Sequence, residues 1–344
     1  MIETNVTRML GIKQPIIAAP MGPFYTTELT IAVSEAGGLG VLSHTNLGLK
    51  SPIEIMKKNM LDVIEHTDKP FGFNIRTSRM QPDAPILCRQ IPKFIGRNPK
   101  LREQVRYVIT SAGTPRMIQE SKTFKSLRET GSEIKHFHVA PALWLADKCA
   151  IAGVDGMVVT GGEGGGHQSY EKVSTLVLLQ QIRKKHPDIP IVACGGFATG
   201  DGLAAALSMG AGAIAMGSRL IASKESEFHE NYKNVVPPAK AQDTVIVTGV
   251  LGPIRLWKNE YSLHHDIVAN KEEKKKQEKG LSIQDLLEIN KKYELAYEGN
   301  ITDGAVLLGQ SIGVINSIES VKDIIDSIVK DAEICLKNAS NVIS

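Results

Sequence analysis

Eight short and mostly apolar runs recur along the first two thirds of the chain, at residues 15–19, 38–42, 71–74, 107–110, 134–139, 156–160, 191–194 and 213–216, with helical stretches between them. Strands that stay apolar at successive positions are buried on both faces, as in parallel sheets covered by helices. Strand then helix, repeated eight times in about 220 residues, predicts an α/β fold of the (β/α)8 barrel type. A doubly wound open sheet is the competing arrangement. The count of eight, and the lack of a G-x-G-x-x-G after the first strand, favour the barrel.

The intervening stretches carry helix signals. Ser51 precedes Pro52 and stands three residues before Glu54, which predicts a capping box with proline at the first helical position. Behind it Met56, Met60, Val63 and Ile64 share one face. Residues 140–152 and 174–185 read similarly, and 201–209 is an alanine-rich helix ended by Gly210.

The alternation stops after Ser223. Residues 1–223 are therefore expected to form the barrel. Residues 224–300 contain Pro237-Pro238, a Gly252-Pro253 turn and a charged run from Lys271 to Lys279. They read as a mostly helical insertion beside the barrel mouth, with the charged run solvated. Residues 301–344 return to the barrel, and 321–336 have the apolar spacing of its last helix.

Composition narrows the partners. The chain has 344 residues, 42% of them apolar and 22% charged, with a formal charge of +3. So small a charge, with no basic patch interleaved with aromatics, argues against nucleic acid. The cysteines Cys88, Cys149, Cys194 and Cys335 form no C-x-x-C pair, which fits a reducing compartment and no metal site. The N-terminus has no cationic segment followed by an apolar one, and no apolar run is long enough to span a bilayer. A cytoplasmic protein acting on a small molecule, without a membrane, is the expectation.

Barrel active sites lie at the C-terminal ends of the strands. Those ends supply Pro20-Met21-Gly22, Ser43-His44, Asn74, Ser111-Ala112-Gly113, His138, the loop 161–167, Gly195-Gly196 and Gly217-Ser218. The collection is rich in glycine and hydrogen-bonding groups and poor in charge, so it suits a large planar ligand better than a metal. The loop after the sixth strand has five glycines, among them Gly162, Gly164 and Gly165, which let the backbone approach a flat or anionic ligand. It ends at His167, whose imidazole can act as a base or an electrostatic partner near neutrality. Glu163 either pairs with that imidazole or caps the turn, and the cap is favoured. Gly195, Gly196, Gly217 and Ser218 end the seventh and eighth strands, where barrels hold phosphate on bare backbone N–H groups.

Ala18-Ala19-Pro20-Met21-Gly22, Gly37-Gly38-Leu39-Gly40, Phe71-Gly72-Phe73-Asn74, Gly162 through His167, Ala193 through Phe197 and Met216-Gly217-Ser218-Arg219 come in an order that resembles the nitronate monooxygenase family. That family also contains flavin-dependent enoyl-acyl-carrier-protein reductases and NADH:quinone reductases. The resemblance extends to Arg255-Leu256-Trp257-Lys258-Asn259 and to Gly309-Gln310 with Gly313. It implies a barrel holding FMN, with the flavin ring over Pro20, Met21 and Gly22 and Asn74 bonding its polar edge. The phosphate would lie on Gly195, Gly196, Gly217 and Ser218, with Gln310 nearby and His167 facing the substrate.

The first function implied is oxidation of alkyl nitronates or nitroalkanes by dioxygen to carbonyl compounds and nitrite. The alternative is reduction of enoyl thioesters or quinones, with NAD(P)H as the electron donor. A non-catalytic flavin-binding subunit is a third reading, against which the imidazole counts. An IMP dehydrogenase-like enzyme would need a cysteine in the loop after strand six, and none is there. The resemblance leaves room for a homodimer. The chain departs from it where some members carry a lysine at the end of strand five and this one reads His136-Phe137-His138-Val139, and again where Gln168-Ser169-Tyr170 follow His167.

Overall fold

The structure is a computed structural model and describes residues 2–47, 51–249, 252–264, 268 and 270–342. In chain order the first nine strands are β1 (Ile16–Ala18), β2 (Gly40–Leu42), β3 (Phe71–Arg76), β4 (Val105–Ser111), β5 (Lys135–Ala140), β6 (Gly156–Thr160), β7 (Gly166–His167), β8 (Ile191–Cys194) and β9 (Ala213–Met216). All but β7 form one parallel sheet in the order β1-β9-β8-β6-β5-β4-β3-β2. The ends of that order meet. Leu39 donates to the carbonyl of Ile16 and accepts from Ala18, both at 2.9 Å, which closes the sheet into a barrel.

Side-chain size sets the interior. Gly72 stands opposite Tyr107, and Gly156 opposite Phe137. A Cβ at Gly72 would lie 2.7 Å from the Tyr107 ring, and one at Gly156 would lie 2.1 Å from Phe137. Two aromatic rings therefore fill the barrel only because their neighbours are glycine. Alternate residues face outward: Phe71, Phe73, Ile75, Val105 and Val108 are buried against the surrounding helices.

The helical ring matches the sequence pattern, with one local correction. Helix Pro52–His66 begins with proline and buries Met56, Met60, Val63 and Ile64, but the Ser51 side chain makes no capping hydrogen bond. Glu54 accepts from Lys57 instead, at 2.8 Å, so the capping box does not form. Helix Val321–Ser340 packs against helices Gly200–Ser208 and Thr27–Glu35, and so fills the last gap in the ring.

The segment after β9 holds four α-helices between 224 and 300 among the described residues, and also a hairpin that the pattern did not reveal. β10 (Thr244–Gly249) pairs antiparallel with β11 (Gly252–Trp257), and β11 pairs in turn with β7. Pro253 obscured that strand, since proline cannot donate to a ladder. It is tolerated because β7 pairs only with Ile254 and Arg255. The charged run forms helix Lys271–Gly280, exposed over most of its surface. Its inner face is not solvated: Glu278, with a side chain 9% exposed, pairs with both Lys274 and Arg79.

Candidate active site

The loop after β6 is held at each turn. The Gly161 N–H donates to the Thr175 hydroxyl at 3.0 Å. The Glu163 carboxylate accepts from the Thr175 N–H at 2.8 Å and faces its hydroxyl at 2.9 Å, which caps helix Thr175–Lys185 beside Ser174. Glu163 is thus the cap that the sequence favoured; no hydrogen bond links it to His167 among the described residues. The Thr175 hydroxyl is also 2.9 Å from the carbonyl of Gly195, so a single side chain spaces the loops after β6 and β8.

Those loops abut. Gly195 has φ +86°, and a Cβ there would lie 3.0 Å from the Gly164 nitrogen. A side chain would be strained by the backbone and would also push the loops apart. Gly309 joins the end of β9 to the same place. Its N–H donates to the Ser218 hydroxyl at 3.0 Å, and a Cβ at Gly165 would be 2.7 Å from its nitrogen. Gln310 contributes through its backbone, donating to the Glu163 carbonyl at 2.8 Å. The ends of β6, β8 and β9 therefore converge.

His167 belongs to β7, and the hairpin fixes it. Its backbone pairs with Ile254, and Gln168 donates to the Pro253 carbonyl at 2.8 Å. The buried Arg255 bonds the Gly162 carbonyl at 2.7 Å and the Thr244 hydroxyl at 2.8 Å. The His167 side chain stays exposed, yet protein crowds the rest of the ring. Desolvation lowers its pKa to about 4, with the charges of Arg76 and Lys274 adding to the effect. The imidazole is neutral at pH 7.

The remaining expected residues lie at the ends of the first three strands. Met21 is buried and donates its N–H to Ser43 at 2.9 Å, next to the half-buried Pro20 and Gly22. Asn74 is buried, and its amide nitrogen bonds the Ile109 carbonyl at 2.9 Å and the Ser111 hydroxyl at 3.2 Å. No described residue donates to its Oδ1, which leaves an acceptor free.

His138 is the exception to this gathering. It shares the Thr110 hydroxyl with His136, at 2.6 and 2.7 Å, and both rings are fully buried. His136 packs on Phe124 of helix Lys122–Glu129, so the pair faces the helical layer and not the barrel mouth. Burial lowers the His138 pKa to about 3 and that of His136 well below normal. Three residues went unassigned in the sequence: Thr175, Arg255 and Arg76. Arg255 lay within a quoted motif, whereas Thr175 and Arg76 gave no signal in spacing or type.

Gly217 tests whether a phosphate-bearing cofactor fits. Its φ of −102° suits any residue, and a Cβ there would meet only the Ala19 Cβ, at 3.9 Å. Nothing in the protein demands glycine at this position. The Gly196, Gly217 and Ser218 N–H groups have no acceptor among the described residues, so the backbone there offers donors to an anion.

Fold and site together define a (β/α)8-barrel enzyme whose working face is at the C-terminal ends of its strands. The family model described as nitronate monooxygenase matches residues 3–331. A relative from Rhodococcus jostii, (3aS,4S,5R,7aS)-5-hydroxy-7a-methyl-1-oxo-octahydro-1H-indene-4-carboxyl-CoA dehydrogenase, is 32% identical over 96% of each chain. A nitronate monooxygenase from Pseudomonas aeruginosa is 28% identical over 72% of this chain and 77% of its own. The solved structure of FabK from Thermotoga maritima superposes with a TM-score of 0.81 at 31% identity and covers 100% of both chains. The chain belongs to the nitronate monooxygenase family, and is an oxidoreductase by that membership. No helix among the described residues is long and apolar enough to cross a membrane.

Proposed function

We propose that this protein is an FMN-dependent oxidoreductase that transfers hydride to or from an acyl thioester. The observation that carries the cofactor is Gly217, a glycine with ordinary backbone angles whose missing Cβ leaves room beside free N–H donors. Gly195, Gly196, Gly217 and Ser218 would hold the phosphate. Pro20, Met21 and Gly22 would support the ring, and the Asn74 Oδ1 would accept from its polar edge. Gly162, Gly164, Gly165 and the Gln310 backbone would close the remaining side. FMN, when bound, supplies the two-electron chemistry, while the protein positions the substrate.

The more complete match to a thioester enzyme supports this substrate class. The carboxyl-CoA dehydrogenase spans 96% of this chain, whereas the nitronate monooxygenase reaches 72%. Neutral His167 then faces the substrate's α-carbon: it can accept the α-proton when the thioester is oxidised, and in the reducing direction that carbon takes its proton from water. NAD(P)H would enter by the same open mouth as the electron partner. Nitronate oxidation, which the family model favours, is the second reading and uses the same residues.

The test is anaerobic. FMN-loaded protein is mixed separately with NADH, NADPH and propane-2-nitronate, and the flavin absorbance is followed. Bleaching by a pyridine nucleotide, reversed by crotonyl-CoA, is expected. Bleaching by the nitronate alone would establish the second reading, and failure to bind FMN would overturn both.

A further inference from the structure

Arg76, the last residue of β3, forms no ion pair among the described residues. Its Nη2 donates to Asn46 Oδ1 at 2.5 Å, and its Nε–H is enclosed with no acceptor. No carboxylate lies within ion-pair distance of it among the described residues, unlike Lys274 and Arg79, which share Glu278. Asp83, whose charge acts on Arg76, spends its hydrogen bond on His44. His44 accepts the Arg76 backbone N–H on Nδ1 at 3.0 Å, so its other nitrogen carries the proton and donates to Asp83 at 2.9 Å. That pair positions the strand end; the imidazole is neutral, so Asp83 keeps its charge and acts on Arg76 without bonding the guanidinium.

A half-buried guanidinium with an idle donor is costly unless an anion completes it. Its surroundings say where that anion sits. A Cβ at Gly22 would lie 3.5 Å from the Arg76 Nε, so the side chain borders the expected ring support. Asn74 and Arg76 point the same way along β3, and two residues of strand raise Arg76 by about 7 Å toward the mouth. That places it one layer above the polar edge assigned to Asn74, where its charge reaches His167. Arginine also presents its donors in a planar fork, which matches planar oxyanions.

We propose that Arg76 binds a planar oxyanion of the substrate on the His167 side of the site. Carboxylate, nitronate and the enolate oxygen of a thioester share this chemistry. The inference rests on the proposed function only for FMN binding.

Isobutyrate, the unreactive isostere of propane-2-nitronate, is the probe. Titrated into FMN-loaded protein, it should perturb the flavin spectrum with saturation. R76Q should weaken its Kd roughly ten- to a hundredfold, the loss expected for a charged hydrogen bond. R76K, which keeps the charge and loses the fork, should fall between. FMN affinity should stay within about threefold in both variants, which also shows that they fold. Steady-state rates then separate the sources: a raised KM for propane-2-nitronate marks a bound anion, and a lowered kcat with crotonyl-CoA marks an oxygen that becomes anionic in the reaction. An isobutyrate Kd unaffected by R76Q, or no isobutyrate binding by the wild type, would overturn the proposal. So would a tenfold loss of FMN affinity in R76Q, which would place the cation on the flavin. Protein that never binds FMN fails the function proposal instead.

Discussion

The Arg255 guanidinium donates to the carbonyl of Gly162 across 2.7 Å, joining the hairpin of the post-barrel segment to the glycine loop that ends at His167. The loop has little of its own to hold it, being mostly glycine. Its shape is imposed by what it touches: Arg255 on one side, Thr175 on another, and Gly309 on a third.

Replacing Arg255 with alanine should therefore loosen that loop. The loss of two buried hydrogen bonds, one of them charge-assisted to a carbonyl, should cost about 2–4 kcal/mol of stability. Faster amide exchange at Gly161 to His167, with the far side of the barrel unchanged, is the expected reading. A uniform change throughout the protein would mean that Arg255 serves general stability only.

Thr175 is the second support. Thr175→Val keeps the shape and removes the hydroxyl that meets Gly161, Glu163 and Gly195. It should cost roughly 1–3 kcal/mol, as for other buried groups left unpaired. Glu163→Gln, which keeps a weaker acceptor at the same helix terminus, should cost about 1 kcal/mol. Denaturant melts of the two variants check the order.

The barrel was legible before any coordinates because each strand is short, apolar and bounded by turn residues, which is a local signal. The eight strands lie where the alternation placed them, and so does the closing helix. The candidate site was legible in part as geometry. Glycines at strand ends announce close approach, so Gly195 and Gly217 could be found from type and position. Arg76 could not be: a single arginine after a strand looks like any surface cation, and only tertiary packing shows that its Nε–H has no acceptor among the described residues. The hairpin was hidden because Pro253 argues against a strand unless the extent of its neighbour is known.

The two buried histidines of β5 make stability depend on pH. His136 and His138 have folded-state pKa values below the unfolded value of about 6.5. Above that value both states are neutral and the full stability is present. As pH falls below it, the unfolded chain binds protons that the folded chain refuses, and stability declines toward the folded pKa, about 3 for His138. Each histidine contributes at most about 1.4 kcal/mol per pH unit in that window. Melting temperatures measured from pH 8 down to pH 5 should fall mainly below pH 6.5, and His138→Gln should flatten the slope. An unaltered slope in that variant would assign the acid sensitivity to other groups.

At Gly195, alanine would face φ +86° and the Gly164 nitrogen at 3.0 Å. Left-handed strain and displacement of the two loops should together cost about 1–3 kcal/mol and weaken FMN binding. Thermal melts with and without FMN measure both. A variant with wild-type affinity would mean that the loop spacing is not what holds the phosphate.

Gly217 gives the cleanest test of the account, because a Cβ there meets only Ala19 and the backbone is not left-handed. The measurement is quenching of FMN fluorescence on titration with wild-type protein and with Gly217→Val. The wild type should bind FMN and the variant should fold normally but bind at least a hundredfold more weakly, the Cβ branches occupying the place of the phosphate. Equal affinity in the two proteins would contradict the cofactor site placed at the ends of β8 and β9.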